Sequence, residues 1–168
     1  MMIKRLSIIF VLFLTACGWQ FKNNELFPEA LRTLHYESAD QYSDMSRVLR
    51  NQLLLNNISL ISAPNTSHVA TLRLNSTELH SQVASVFKQA REAEKSLSLM
   101  VKATVNIPEK GEFPLEVSIH RTFFDDSRAA LAKFEEKESI IHQMYEQASR
   151  QLLVKMVGLN AQLGSHNK

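Results

Sequence analysis

The sequence predicts an α+β protein: a two-layer sandwich with a mainly antiparallel four-stranded sheet and two amphipathic helices on one face. Three observations predict it. Residues 97–107 and 113–119 alternate apolar and polar side chains, whereas residues 44–56 and the segment after Asp126 repeat apolar residues at spacings of three and four. Alternation marks a half-buried strand, and a three-four spacing marks the buried stripe of a helix. A sheet with one apolar face and two striped helices have one economical arrangement, in which both helices lie across that face.

The chain begins with a leader. Lys4 and Arg5 precede an apolar run from Leu6 to Leu14 broken only by Ser7, well short of the roughly 20 residues that span a bilayer. Thr15 and Ala16 supply the small residues of a cleavage site. Leu14-Thr15-Ala16-Cys17 looks like a bacterial lipobox, in which the cysteine takes a diacylglycerol thioether, becomes the first mature residue and is N-acylated. The plainer alternative is an ordinary leader beside a free cysteine. The conjunction of charge, length, small residues and a lone cysteine favours lipidation at Cys17. Each buried acyl CH2 contributes about 0.8 kcal/mol, so three chains anchor effectively for good. Gly18 follows the cysteine in place of the aspartate that commonly holds enteric lipoproteins at the inner membrane, which favours the outer membrane.

The expected organisation is a removed leader at 1–16, a lipidated tether at 17–27, one α+β domain at 28–159 and a flexible tail at 160–168. Residues 31–36 form a weak strand candidate. In the first helix Met45, Val48, Leu49 and Leu53 share a face, Ser43 or Asp44 caps the start, and Asn56-Asn57 stops it. "ISLIS" is a short strand or edge. Residues 69–87 read as a strand whose phase slips near Ser76 to Glu78, where a bulge is expected. Leu97, Leu99, Val101, Ala103, Val105 and Ile107 point one way on the next strand. "PEKGE" turns the chain, and Phe113, Leu115, Val117 and Ile119 return. The last helix carries Ile141, Met144, Tyr145, Ala148, Leu152 and Met156 in a stripe ending at Gly158.

Without the leader 152 of the 168 residues remain, enough for one domain with a real core. Lys4 and Arg5 leave with it, so the 19 basic residues fall to 17 and equal the acidic count. No basic stripe with interleaved aromatics supports nucleic-acid binding. A single cysteine, already committed to lipid, leaves no internal disulfide.

No catalytic site is expected. His35, His68, His80, His120, His142 and His166 show no metal-binding spacing, and His120 reads as a surface or packing histidine. Four glycines provide no phosphate-cradling loop, and no serine sits in a nucleophile elbow. Asp125-Asp126 most simply caps the turn into the last helix. Catalytic residues, metal and cofactors are therefore read as none, apart from the covalent lipid.

"CGWQF" at 17–21, "SRVLRNQLLLN" at 46–56, "SVFKQAREAE" at 85–94, "ATVNIP" at 103–108, "HRTFFDDSRAALAK" at 120–133 and "MYEQASRQLLVKM" at 144–156 together resemble the LPS-assembly lipoproteins (LptE). The resemblance implies a non-enzymatic plug, one copy per barrel, inside the outer-membrane β-barrel that inserts lipopolysaccharide. It also implies contact with lipopolysaccharide through basic residues, carried over to Lys88 and Lys133, with Arg91 beside the first. Members commonly have arginine at the Lys88 position and glycine in the following turn, where this chain has Ala90. The polar sheet face, with Ser98, Lys102, Thr104, Glu116, Ser118 and His120, suits either bulk solvent or a wet wall; the resemblance points to the barrel. The alternative is a free-standing periplasmic lipid- or peptidoglycan-binding lipoprotein, which would need a deep apolar pocket. A periplasmic hydrolase is a more distant one.

Overall fold

The computed structural model describes residues 27–62, 68–86 and 92–165. A 3-10 turn at Glu29–Leu31 leads into β1 (Thr33–Ser38), α1 (Asp44–Leu55) and β2 (Ser59–Ile61). Three long strands follow, β3 (Ala70–Val86), β4 (Glu92–Ile107) and β5 (Gly111–Asp126), then a 3-10 turn at Ser127–Ala129 and α2 (Ala130–Ser165).

The expected two layers are present, but the sheet is five-stranded and mixed, not four-stranded and mainly antiparallel. Its order is β2-β1-β3-β4-β5, with β1 parallel to both β2 and β3 and the other pairs antiparallel. The reason lies in the succession strand, helix, strand at residues 33–61. A parallel pair needs a crossover of a dozen or so residues, and α1 supplies it.

Each helix forms for a local reason. The Ser43 hydroxyl accepts from the Ser46 amide at 3.3 Å and caps α1, while Asn57 closes it with φ at 57°, a conformation that asparagine tolerates. Met45, Val48, Leu49 and Leu53 are buried as the spacing requires. On α2, Ile141, Met144, Ala148, Leu152 and Met156 are buried and Tyr145 packs partly buried against them. α2 runs on to Ser165, past the stop expected at Gly158. That glycine has no positive φ, so nothing there turns the chain out of the helix.

Burial also settles the strands. Leu97, Leu99, Val101, Ala103, Val105 and Ile107 of β4, with Leu115, Val117, Ile119 and Phe123 of β5, face the helices and are buried. The bulge in β3 falls between Leu74 and Ser76, at the near end of the expected slip, and a second register shift lies between Val83 and Ser85. The turn after Ile107 is held by the Lys110 amide donating to the Ile107 carbonyl at 3.0 Å, with Glu109 and Gly111 at positive φ.

Candidate functional site

Directly opposed residues in a sheet project to the same side, so the register gives the uncovered face row by row. Ser76, Lys102 and Glu116 form one row; Glu78, Met100 and Ser118 the next; His80, Ser98 and His120 a third; Gln82, Ser96 and Thr122 a fourth. Nearer β1, Thr104 accepts from the Asn75 amide at 2.7 Å, and Arg73 pairs with Glu37 at 2.9 Å. The six polar residues expected on one face, Ser98, Lys102, Thr104, Glu116, Ser118 and His120, do share it. Met100 sits partly buried among them, an apolar exception in the polar phase of β4.

Lys133 lies near the start of α2, where its Nζ meets Glu136 Oε2 at 2.7 Å one turn on. Its charge, after the dominant hydrogen bond from the Arg128 side chain and the Arg128 amide, helps hold the Asp126 carboxyl below the usual range. Asp126 caps the turn into α2 by accepting from that amide at 2.9 Å, as the sequence suggests. Asp125 does something else and pairs with Lys95 across β4 and β5. Lys88, Arg91 and Cys17 lie outside the described residues. The strand ends that flank the first two do belong to this end of the sheet: Val86 opposes Ala93, which opposes Asp125, and Glu92 opposes Asp126.

The same end carries features that the sequence reading missed. Arg121 of β5 donates to Gln147 of α2 at 2.7 Å. Val83, Phe124, Leu131 and Phe134 are exposed there. Alternation could have flagged Phe124, which follows Phe123 and must take the opposite side. This end therefore sets the ion pairs Lys95–Asp125, Arg128–Asp126 and Lys133–Glu136 beside exposed apolar side chains.

The arrangement offers little for catalysis. His80 lies 3.7 Å from Glu78, His142 lies 3.6 Å from Glu146 one turn on, and His120 contacts the Ser118 hydroxyl at 3.1 Å. Among the described residues no group of three His, Cys, Asp or Glu side chains converges for a metal. A depression of about 520 Å3 lies where β1 ends against β3, lined in part by His35, Glu37, Arg73 and Asn75. No helix among the described residues is long and apolar enough to cross a membrane.

Residues 31–156 match the LptE family, described as "Lipopolysaccharide-assembly". The LPS-assembly lipoprotein LptE of Yersinia pestis (strain Pestoides F) is 35% identical over 151 residues, covering 90% of this chain and 73% of its own length. That of Yersinia pseudotuberculosis serotype O:1b matches equally. Among solved structures, rare lipoprotein B from Shewanella oneidensis superposes with a TM-score of 0.71 at 32% identity, over 79% of this chain and 98% of its own. A minor lipoprotein from Acinetobacter baumannii, at 16% identity, shares the fold with a TM-score of 0.63 over 79% of this chain and 96% of its own.

Proposed function

The chain belongs to the LptE family, and on that premise we propose that it is a non-enzymatic subunit of lipopolysaccharide assembly at the outer membrane. In this reading Cys17 carries the lipid anchor, and the domain seats one-to-one as a plug in the barrel that inserts lipopolysaccharide. Lys88 and Lys133, with Arg91 beside the first, contact the lipopolysaccharide phosphates as it passes. Lysine suits that contact as a compact point charge, and arginine adds a planar fork.

The observation that carries the proposal is the two-sidedness of the sheet. Both helices occupy one face, while the other presents polar rows along strands of 16 and 17 residues. The inner wall of an outer-membrane barrel is polar and wet, so such a face can lie against it without burying unpaired apolar surface. The free-standing lipid binder needs an empty apolar chamber. Between this sheet and its helices the side chains of Leu97, Leu99, Val101, Met144, Leu152 and Met156 have no exposed surface, and that layer is filled.

Purification of the tagged chain from the native outer membrane tests the plug; recovery with no β-barrel partner rejects it. Lys88→Glu and Lys133→Glu test the ligand contact separately. An exposed cation–anion contact contributes about 1 kcal/mol at most, roughly fivefold in affinity. Charge reversal removes that attraction and adds a repulsion, so each change should weaken binding of purified lipopolysaccharide by at least about fivefold, with circular dichroism unchanged. Binding at the wild-type level in both would remove these lysines from the site and leave the plug standing.

A further inference from the structure

β1 covers only the beginning of β3. Its last paired residue, Ser38, opposes Leu74, after which the chain turns away through residues 39–43 to α1. From Ser76 to Val83, β3 keeps an uninterrupted register with β4 on one side. On the other side no strand or backbone hydrogen bond meets it among the described residues. In an antiparallel pair every second residue turns its N–H and C=O away from the partner, so along these eight residues alternate donors and acceptors face outward and meet no backbone partner among the described residues. Register shifts bound the stretch at both ends.

The other two edges of the sheet are guarded over part of their length, β5 only around residues 114–116. β2 is three residues long. β5 carries Pro114, and Lys155 of α2 donates to the Glu116 carbonyl at 2.7 Å. Short edge strands, prolines and lysines are the usual protections against strand addition. The stretch Ser76-Thr77-Glu78-Leu79-His80-Ser81-Gln82-Val83 has neither lysine nor proline and carries one carboxylate. Leu79 and Val83 project to the helix side, opposite Leu99 and Lys95, and they are 36% and 58% exposed. The 520 Å3 depression opens where β1 stops beside Arg73 and Asn75, in line with the unpaired edge.

We propose that the β3 edge from Ser76 to Val83 is a strand-addition site that takes an extended polypeptide segment from the barrel partner. The inference rests on the plug reading. A closed barrel has no free edge of its own, so the donor is a loop or a terminal extension of that partner and not a wall strand. Complementarity fixes its character: apolar residues at alternate positions to cover Leu79 and Val83, and a basic residue opposite Glu78 on the other face. Main-chain hydrogen bonds supply the attachment and the alternate side chains the selectivity, as in other cases of β-augmentation.

Residue-resolved amide exchange of the full chain, alone and in the complex recovered from the outer membrane, tests this directly. The outward-directed amides of residues 76–83, about half of them, should exchange at least tenfold more slowly in the complex, while inward amides change little. Leu79→Lys with Val83→Glu places charges on the edge at exposed positions that the core does not use, the glutamate facing Lys95. Recovery of the partner should fall severalfold with the melting curve intact. Unchanged exchange in a recovered complex, together with wild-type recovery by the double variant, overturns the edge and leaves the plug. Failure to recover any barrel overturns both. Protection of the same amides in the isolated chain as concentration rises would assign the edge to a second copy and overturn the assignment to the barrel.

Discussion

Tyr36 shows how one side chain links strand, helix and pH. It leaves β1 toward α1 and is buried, with the Arg50 guanidinium 5.6 Å from the centre of its ring. Beside it the buried Ser46 hydroxyl donates to the Asp40 carbonyl at 2.7 Å and shares a 2.7 Å hydrogen bond with Ser38. Burial pushes the Tyr36 phenol above its ordinary 10.0, against the opposing pull of the Ser46 and Ser38 hydroxyls and the Arg50 charge. The fold then keeps a proton that the unfolded chain gives up above pH 10.0, so the native state loses ground as pH rises. That contribution is complete below pH 10.0 and disappears through the folded pKa. Among the described residues the buried Tyr36 hydroxyl meets no hydrogen-bond partner, so Tyr36→Phe should flatten the fall of the urea midpoint on the alkaline side with little or no cost at neutral pH. Tyr145, raised for the same first reason, keeps the slope from vanishing. Parallel midpoint curves for variant and wild type above pH 10 would contradict this account.

At the scale of elements, the interior of each segment and both ends of α1 were legible, whereas the end of α2 was not. Every apolar position expected to face the core on α1 and β4 does so, because burial repeats with the period of the backbone. The end of α2 was misjudged at Gly158, since a glycine after a helical stripe usually marks a left-handed cap. Here it continues the helix, and a Cβ added to it meets nothing within 4 Å. Gly158→Ala should then stabilise the protein by about 0.5–1 kcal/mol through the unfolded chain, raising the melting temperature by roughly 1–4 °C. A lowered midpoint would mean the site is not open helix. Strand direction was illegible for a different reason: no residue of "TLHYES" records whether its neighbour runs with or against it. The same holds for the open edge of β3, which exists because β1 stops at Ser38. Of the candidate site, the polar rows followed from alternation. Lys133 was reachable only through resemblance, because a half-buried lysine beside a glutamate one turn away looks in sequence like any other helical ion pair.

For the whole molecule, the long strands give the domain two separated ends. β1 starts beside Phe27 and Ile58, where the chain arrives from its N-terminal segment, while Val86, Glu92 and Asp126 mark the far end near Lys133. Strands of 16 residues extend on the order of 50 Å, more than the roughly 30 Å of a bilayer's hydrocarbon core. A domain tethered at the inner leaflet by Cys17 can thus present Lys133 toward the outer one, as the proposed function requires. In the proposed function the tether and the fold are separable. The described residues build a core of their own, in which Leu31, Leu34, Leu99 and Met156 have no exposed surface. Cys17→Ala should accordingly keep its circular dichroism and its urea midpoint within about 0.5 kcal/mol of the lipidated protein, the range of surface substitutions. Mixed with lipid vesicles, it should stay in the supernatant where the acylated chain sediments. A variant that still sediments would place the anchor elsewhere, and one that unfolds would show that the N-terminal segment contributes to the core.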